Sequence, residues 1–227
     1  MGGMSLPAIE AIYVGRPRVL CDAQGEWTSA IARHAAPGPL PVGVDGLPED
    51  EVANTVAHGG PDRALLAFGA GHYAAFAAEL GLVLREPGFG ENLRVAGLDE
   101  GTVAIGDVWQ VGDLRLQVTM PRSPCGKIGR HVGVADMLER VTTTARVGWF
   151  LRVLAPGPIA PGLPIAVVER PRPDWTVERV FRANRALRAR DGAALDENRA
   201  VAALPGLADQ WRAETEHLLS ALGRQLG

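Results

Sequence analysis

Short β-prone runs separated by glycines fill residues 92–120, and this pattern constrains the fold more than any other feature. The runs cover 93–95, 103–105, 108–111 and 114–119, and Gly97, Gly101, Gly106 and Gly112 interrupt them. The last run alternates apolar and polar side chains with a period of two, which is typical of a half-buried strand. The series therefore predicts a meander that belongs to a barrel or a sandwich.

Strands and helices are both expected around this meander. The predicted strands cover 9–14, 27–31, 65–68, 148–154 and 165–168, the helices 72–80 and 134–144, and the loop 35–50. Gly81 ends the first helix, because glycine adopts the left-handed conformation common at helix C-termini. The predicted fold class is mainly β with flanking helices (α+β) in a barrel-like arrangement.

The hydrophobic period changes from two to 3.6 after the segment Arg170-Pro-Arg-Pro. Apolar residues recur at helical spacing from Val177, and Asp174 or Thr176 can cap this helix. Two further helices are predicted over 195–204 and 207–222. The sequence therefore predicts a barrel-like domain over 1–170 and a three-helix domain over 171–227.

Composition excludes several classes of protein. The net charge of −3 gives no general attraction to nucleic acid or to an anionic membrane, and an arginine-rich stretch over 179–190 is interpreted as a solvated helix face. No run of 18 apolar residues and no signal-peptide pattern occurs. Two cysteines are too few for a disulfide framework, so a reducing, cytoplasmic location is expected.

Residues 121–127 read Pro-Arg-Ser-Pro-Cys-Gly-Lys and contain the only lysine of a chain whose other 22 basic residues are arginine. This lysine, Lys127, lies two residues from Cys125, and a nearby cation favours the thiolate form of a cysteine. Arg122, Ser123 and Lys127 offer donors for a phosphate or another oxyanion. A thiolate at Cys125 is a soft ligand for a transition metal. The alternative is that Cys125 is simply a small buried residue.

Two glycine-containing segments are further candidates for ligand binding. In His58-Gly-Gly-Pro-Asp-Arg63, Gly59 and Gly60 permit close backbone approach to an anion and Arg63 can add a bidentate contact. In Gly88-Phe-Gly-Glu-Asn92, Asn92 offers a donor and an acceptor, and Glu91 precedes it. Each segment can equally be an ordinary turn or bend.

A cysteine–histidine dyad is also open on this evidence. His58, His72 and His131 are the candidate bases for Cys125. Dinucleotide-binding glycine patterns, P-loops, paired metal-binding histidines and Cys-x-x-Cys are absent from the sequence. The scattered histidines argue against a structural zinc site.

Taken in order, these motifs resemble the MOSC family, named for the C-terminal domain of molybdenum cofactor sulfurases, and its stand-alone bacterial YiiM-type branch. The resemblance rests on His58-Gly-Gly-Pro-Asp-Arg-Ala, His72-Tyr, Phe89-Gly-Glu-Asn-Leu, Ile105-Gly-Asp, Pro121-Arg-x-Pro-Cys125 and Gly148-Trp, over roughly residues 8–170. The helices beyond residue 175 resemble the three-helix domain appended in that branch.

This resemblance implies a barrel-like fold that holds a molybdenum–pterin cofactor, with Cys125 as the protein ligand to molybdenum and the catalytic residue. It implies that the cofactor contacts come from His58, Gly59, Gly60, Arg63, Glu91, Asn92, Arg122, Ser123 and Lys127. Pyridoxal phosphate binding is a further association of the family. Gly126 departs from the bulky residue expected in relatives, which puts the size of the substrate in doubt.

Three functions follow as hypotheses. The first is a molybdenum-dependent reductase of N-hydroxylated compounds such as hydroxylaminopurine bases, supplied with electrons by a separate flavoprotein or other donor. The second is a carrier that binds the cofactor or its sulfur without turnover. The third is a cysteine-dependent transferase without a metal.

Overall fold

The computed structural model describes residues 6–55 and 59–226 and is built around one curled, mixed sheet. The strands of this sheet and of two small two-stranded sheets, β2-β3 and β5-β11, follow in chain order. They are β1 (Ala8–Val14), β2 (Arg18–Asp22), β3 (Gly25–Ser29), β4 (His34–Ala35), β5 (Leu40–Val42), β6 (Leu65–Gly69), β7 (Leu93–Ala96), β8 (Val108–Val111), β9 (Leu114–Pro121), β10 (Trp149–Ala155), β11 (Gly157–Ile159) and β12 (Ala166–Glu169). The large sheet has the order β12-β8-β9-β10-β6-β7-β1-β4.

Six helices surround this sheet within the described ranges. They are α1 (Gly71–Leu80), α2 (Lys127–Val132), α3 (Met137–Thr144), α4 (Val177–Arg188), α5 (Leu195–Ala202) and α6 (Asp209–Leu226). Strands β6 and β7 pair in parallel because α1 connects them as a crossover, and the other pairs of the sheet are antiparallel. The predicted class, mainly β with flanking helices (α+β) in a barrel-like arrangement, is confirmed, and the barrel-like part is this curled sheet.

Most of the predicted elements are present. Strands over 9–14, 65–68, 108–111 and 114–119 are confirmed within two residues, and α1 ends at Gly81, whose φ of +66° is the expected left-handed cap. The prediction of a strand over 103–105 was wrong. The backbone there bonds to the start of α4, with Ile105 N donating to the Trp175 oxygen and Val177 N to the Val103 oxygen.

The segment after Cys125 also differs from the prediction. A single helix over 134–144 was expected, whereas the structure has α2 and α3, separated by Gly133 at φ +74°. Strand β2 was not predicted, and β4 and β5 lie where loop structure was expected over 35–50. These strands are short or largely exposed, so they lack the apolar alternation that marks a half-buried strand.

The three C-terminal helices pack directly on the sheet. Thr176 caps α4 by accepting from the Arg179 amide, as expected. Val180 of α4 and Trp211 of α6 belong to the same buried cluster as Trp109 and Trp149 of the sheet. The domain boundary near residue 170 therefore stays a prediction. None of the described helices has both the length and the apolar character needed to cross a membrane.

Candidate functional site

A cavity of about 370 Å³ lies where the ends of several strands meet the loops between them. Of the residues predicted for the site, it is lined by Gly59, Gly60, Arg63, Asn92, Arg122, Ser123, Cys125 and Lys127. His58 lies outside the described residues, and Glu91 does not line the cavity. Segments far apart in the chain therefore converge on one space whose volume is typical of small-molecule sites.

Cys125 lies in the loop between β9 and α2, and its side chain is half-buried at the cavity wall. The Arg122 amide donates to the Gly148 oxygen at 3.0 Å, and the Ile128 amide donates to the Cys125 oxygen at 3.2 Å. These bonds fix both ends of the loop. A Cβ on Gly126 would meet nothing within 4 Å, so the glycine leaves open space beside the thiol.

The Arg122 guanidinium is a buried cation at this cavity. The residue is 9% exposed, and among the described residues no carboxylate lies within ion-pair distance of it. Burial lowers the pKa of Arg122, and the negative charges of Cys125 and Glu91 oppose that change in part. Arginine still stays protonated. A buried cation without a paired anion is costly, so this site favours an anionic ligand.

Arg33, by contrast, is fully paired, although it lines the same cavity. Its Nε and Nη2 donate to the two oxygens of Asp50 at 2.7 and 2.8 Å, and its Nη1 donates to the Gly90 oxygen at 2.6 Å. Sequence analysis missed both residues of this pair. The sequence around Asp50 shows only an acidic stretch over 45–51, and no sequence pattern links this stretch to position 33.

Asn92 belongs to the same network. Its Nδ2 donates to Asp50 Oδ2 at 2.8 Å, and its Oδ1 accepts from the Leu66 amide at 3.0 Å. The side chain thus joins β6 to the loop that carries Asp50. The donor and acceptor expected to meet a ligand are used to hold the cavity wall.

Glu91 is completely buried beneath this wall. It accepts a short hydrogen bond from the Tyr73 hydroxyl and another from the Phe89 amide at 3.0 Å. Burial raises the pKa of Glu91, and these hydrogen bonds oppose the rise. The Gly88 amide also donates to Tyr73, at 2.6 Å, so Glu91 and Tyr73 together brace the 88–92 segment.

Arg63 and the two glycines before it form another part of the wall. Gly60 has φ +100°, a conformation that favours glycine, and a Cβ on Gly59 would lie 2.6 Å from the Thr55 oxygen. Arg63 is half-buried; its Nη1 donates to Gln210 Oε1 at 2.6 Å. Burial lowers the pKa of Arg63, and Asp62 and Glu214 oppose the change.

Two of the three histidines considered as bases for Cys125 are engaged elsewhere, and His58 lies outside the described residues. His72 Nε2 lies 2.6 Å from Glu100 Oε2, and His131 Nε2 lies 3.0 Å from the Pro87 oxygen. Neither residue lines the cavity. Within the described ranges, no cluster of three His, Cys, Asp or Glu side chains could hold a metal ion.

Lys127 is exposed at the rim, and its Nζ donates to the Thr28 oxygen at 2.9 Å. Two of its three donors are left for an anion. We expect Lys127→Ala to weaken binding of an anion such as inorganic phosphate roughly threefold to tenfold, since exposure to solvent reduces what a charge-assisted hydrogen bond contributes. Titration of inorganic phosphate into the protein measures the effect.

The matched control is Arg224→Ala, which removes an exposed cation from the last turn of α6. Lys127→Arg should restore only part of the affinity, because a planar fork replaces a compact ammonium poorly. Equal affinity in Lys127→Ala and in the wild type would contradict the assignment of Lys127 as an anion-binding residue.

Comparison with known proteins shows the family to which the chain that forms this cavity belongs. Residues 54–166 match the model of the MOSC domain. Protein YiiM of Escherichia coli (strain K12) is 39% identical over 162 residues, which cover 70% of this chain and 71% of YiiM. The chain belongs to the MOSC domain family. The uncharacterized protein YflK of Bacillus subtilis (strain 168) is 31% identical over 206 residues, 91% of each chain.

Solved structures agree with this assignment. YiiM from Geobacillus stearothermophilus superposes with a TM-score of 0.75 at 28% identity, covering 94% of this chain and 99% of that one. YiiM from Escherichia coli gives a TM-score of 0.74 at 26% identity, covering 96% and 94%. A protein from Gibberella moniliformis named "Reductase" is 37% identical over 169 residues, which cover 71% of this chain but 29% of that protein. The protein is thus a YiiM-like MOSC protein.

Proposed function

We propose that this protein binds a molybdenum–pterin cofactor in the cavity and reduces N-hydroxylated compounds. The observation that carries the proposal is that one cavity wall holds both a half-buried thiol, Cys125, and a buried cation, Arg122, which has no paired carboxylate among the described residues. A thiolate suits a soft metal, and a buried guanidinium suits a phosphate.

The residues present fit such a cofactor. Its phosphate would meet Arg122, with Arg63 and Lys127 nearby, and its ring system would lie within a cavity of about 370 Å³. Gly60 offers backbone without a side chain at that wall. Cys125, whose half-buried side chain lines the cavity, would be the protein ligand to molybdenum.

When bound, the cofactor supplies the two-electron reduction of an N–OH bond to N–H, in which two protons are taken up and water is released. The protein's own residues bind and orient: Arg122 holds the anionic end, and the fixed loop around Cys125 sets the direction of the thiol. The electrons come from a separate protein, and a flavoprotein is the expected partner. The name "Reductase" of a relative supports an oxidoreductase. We place this reaction in the cytoplasm, without nucleic-acid or membrane partners.

An activity assay tests this proposal directly. Protein purified from a host that makes the cofactor should reduce hydroxylaminopurine to aminopurine when a chemical electron donor is supplied. The same protein from a host that cannot make the cofactor is the control and should be inactive. Bound molybdenum without turnover would indicate a carrier, and turnover without molybdenum would contradict the proposal.

A further inference from the structure

The C-terminal helix α6 reaches the wall of the candidate cofactor cavity at its first turn. Gln210, the second residue of α6, accepts from Arg63 Nη1 at 2.6 Å, and Arg63 lines the cavity. Across the described part of the chain, the only other acceptor recorded for this guanidinium is the Gly59 oxygen, at the longer distance of 3.3 Å. Gln210 therefore provides the better hydrogen bond to Arg63.

The short turn that carries Arg63 is joined to α6 and to the sheet by its neighbour, Asp62. One carboxylate oxygen of Asp62 accepts from the Asp209 amide at 3.2 Å and the other accepts from Arg152 Nε at 2.8 Å. The Asp62 backbone oxygen also accepts from Thr119 Oγ1 at 2.7 Å. The backbone position of Arg63 is thus set by these contacts, independently of Gln210.

The direction of the Arg63 side chain is not set by packing alone. A second cavity of about 60 Å³ lies between Arg63 and α6, with Trp211 also in its wall. This space is large enough for water. The Arg63 guanidinium lies over the Phe150 ring, 5.9 Å from its centroid, so packing restricts the side chain in part. The two cavities beside Arg63 still leave a long side chain several rotamers, and the hydrogen bond to Gln210 favours one of them.

We infer that Gln210 is a positioning residue for Arg63, so that the C-terminal helical region completes the anion-binding wall. The inference rests on the proposed cofactor-binding function. A guanidinium held in one direction before the ligand arrives loses less conformational freedom on binding, and affinity rises accordingly.

The test measures binding of inorganic phosphate to the full chain by calorimetry at low ionic strength. Gln210→Met keeps the length and helix propensity of the side chain but removes the acceptor, and Gln210 is exposed, so the fold should be retained. We expect phosphate affinity to fall about threefold to tenfold, the equivalent of one hydrogen bond. Gln225→Met, the same change at an exposed position near the end of α6, should leave affinity unchanged.

A double variant separates positioning from a general structural effect. If Gln210 acts through Arg63, then Gln210→Met should cause no further loss in protein that already carries Arg63→Gln. If the losses caused by the two substitutions add up, the inference is overturned. It is also overturned if Arg63→Gln weakens phosphate binding and Gln210→Met does not, although the anion site itself would then be supported. If Arg63→Gln leaves phosphate affinity unchanged, both the assignment of Arg63 to the anion site and the inference about Gln210 are contradicted.

Discussion

Replacing Cys125 with serine is expected to lower the molybdenum content of protein purified from a cofactor-producing host by roughly tenfold or more. A hydroxyl is a poor ligand for a soft metal at neutral pH, and Cys125 is the one cysteine that lines the described cavity. Serine has nearly the same shape, and the loop is fixed by backbone bonds, so the fold should persist. Elemental analysis of the purified protein measures the change.

Cys21→Ser is the matched control. Cys21 is exposed on β2, where its Sγ makes only a long contact of 3.9 Å to the Asp22 oxygen. Its replacement should leave molybdenum content and thermal unfolding unchanged. Equal molybdenum in the wild type and in Cys125→Ser would contradict the assignment of Cys125 as the metal ligand.

Arg122→Gln should lower the affinity for the cofactor without lowering the stability of the apo-protein. The substitution removes a charge-assisted contact to the cofactor phosphate, so affinity should fall by about tenfold to a hundredfold. The apo-protein should nevertheless unfold at the same temperature or at a higher one, because Arg122 is buried without a paired carboxylate in the described structure. Cofactor titration and thermal unfolding of the apo-protein measure the two effects.

Arg115→Gln makes the same change of charge on β9, where Arg115 pairs with Glu169 at the surface. It should alter neither binding nor stability appreciably. If Arg122→Gln instead lowers the unfolding temperature by many degrees, Arg122 is a structural residue, and its assignment to the anion site is contradicted.

The sequence was sufficient to predict the parts of the cavity wall that are local in the chain. Arg122, Ser123, Cys125 and Lys127 lie within six positions, so their convergence needs only a loop after a strand. Gly59, Gly60 and Arg63 could be added because their residue types suit an anion. The Arg33–Asp50 pair could not be predicted, since no local pattern joins positions 17 residues apart across an irregular segment.

Tertiary contacts explain the elements that were missed. Helix α2 contains Gly129, a poor helix former, yet a Cβ at that position would lie 2.8 Å from the Val134 oxygen. Close packing therefore requires the glycine and overrides its low helix propensity. Asn92 illustrates the same limit: its residue type predicts hydrogen bonds, but only the fold shows that it bonds to Leu66 and Asp50.

The position of β10 in the sheet has a consequence for the order in which the protein is made. In the described sheet, β10 lies between β9 and β6, and it alone joins β12-β8-β9 to β6-β7-β1-β4. Gly60 and Arg63 precede β6, whereas Arg122 and Cys125 follow β9, so the two halves of the cavity stay apart until residues 149–155 leave the ribosome. Gln210 emerges later still. A ligand that contacts both halves of this wall can therefore bind only after residues 149–155 have joined the sheet.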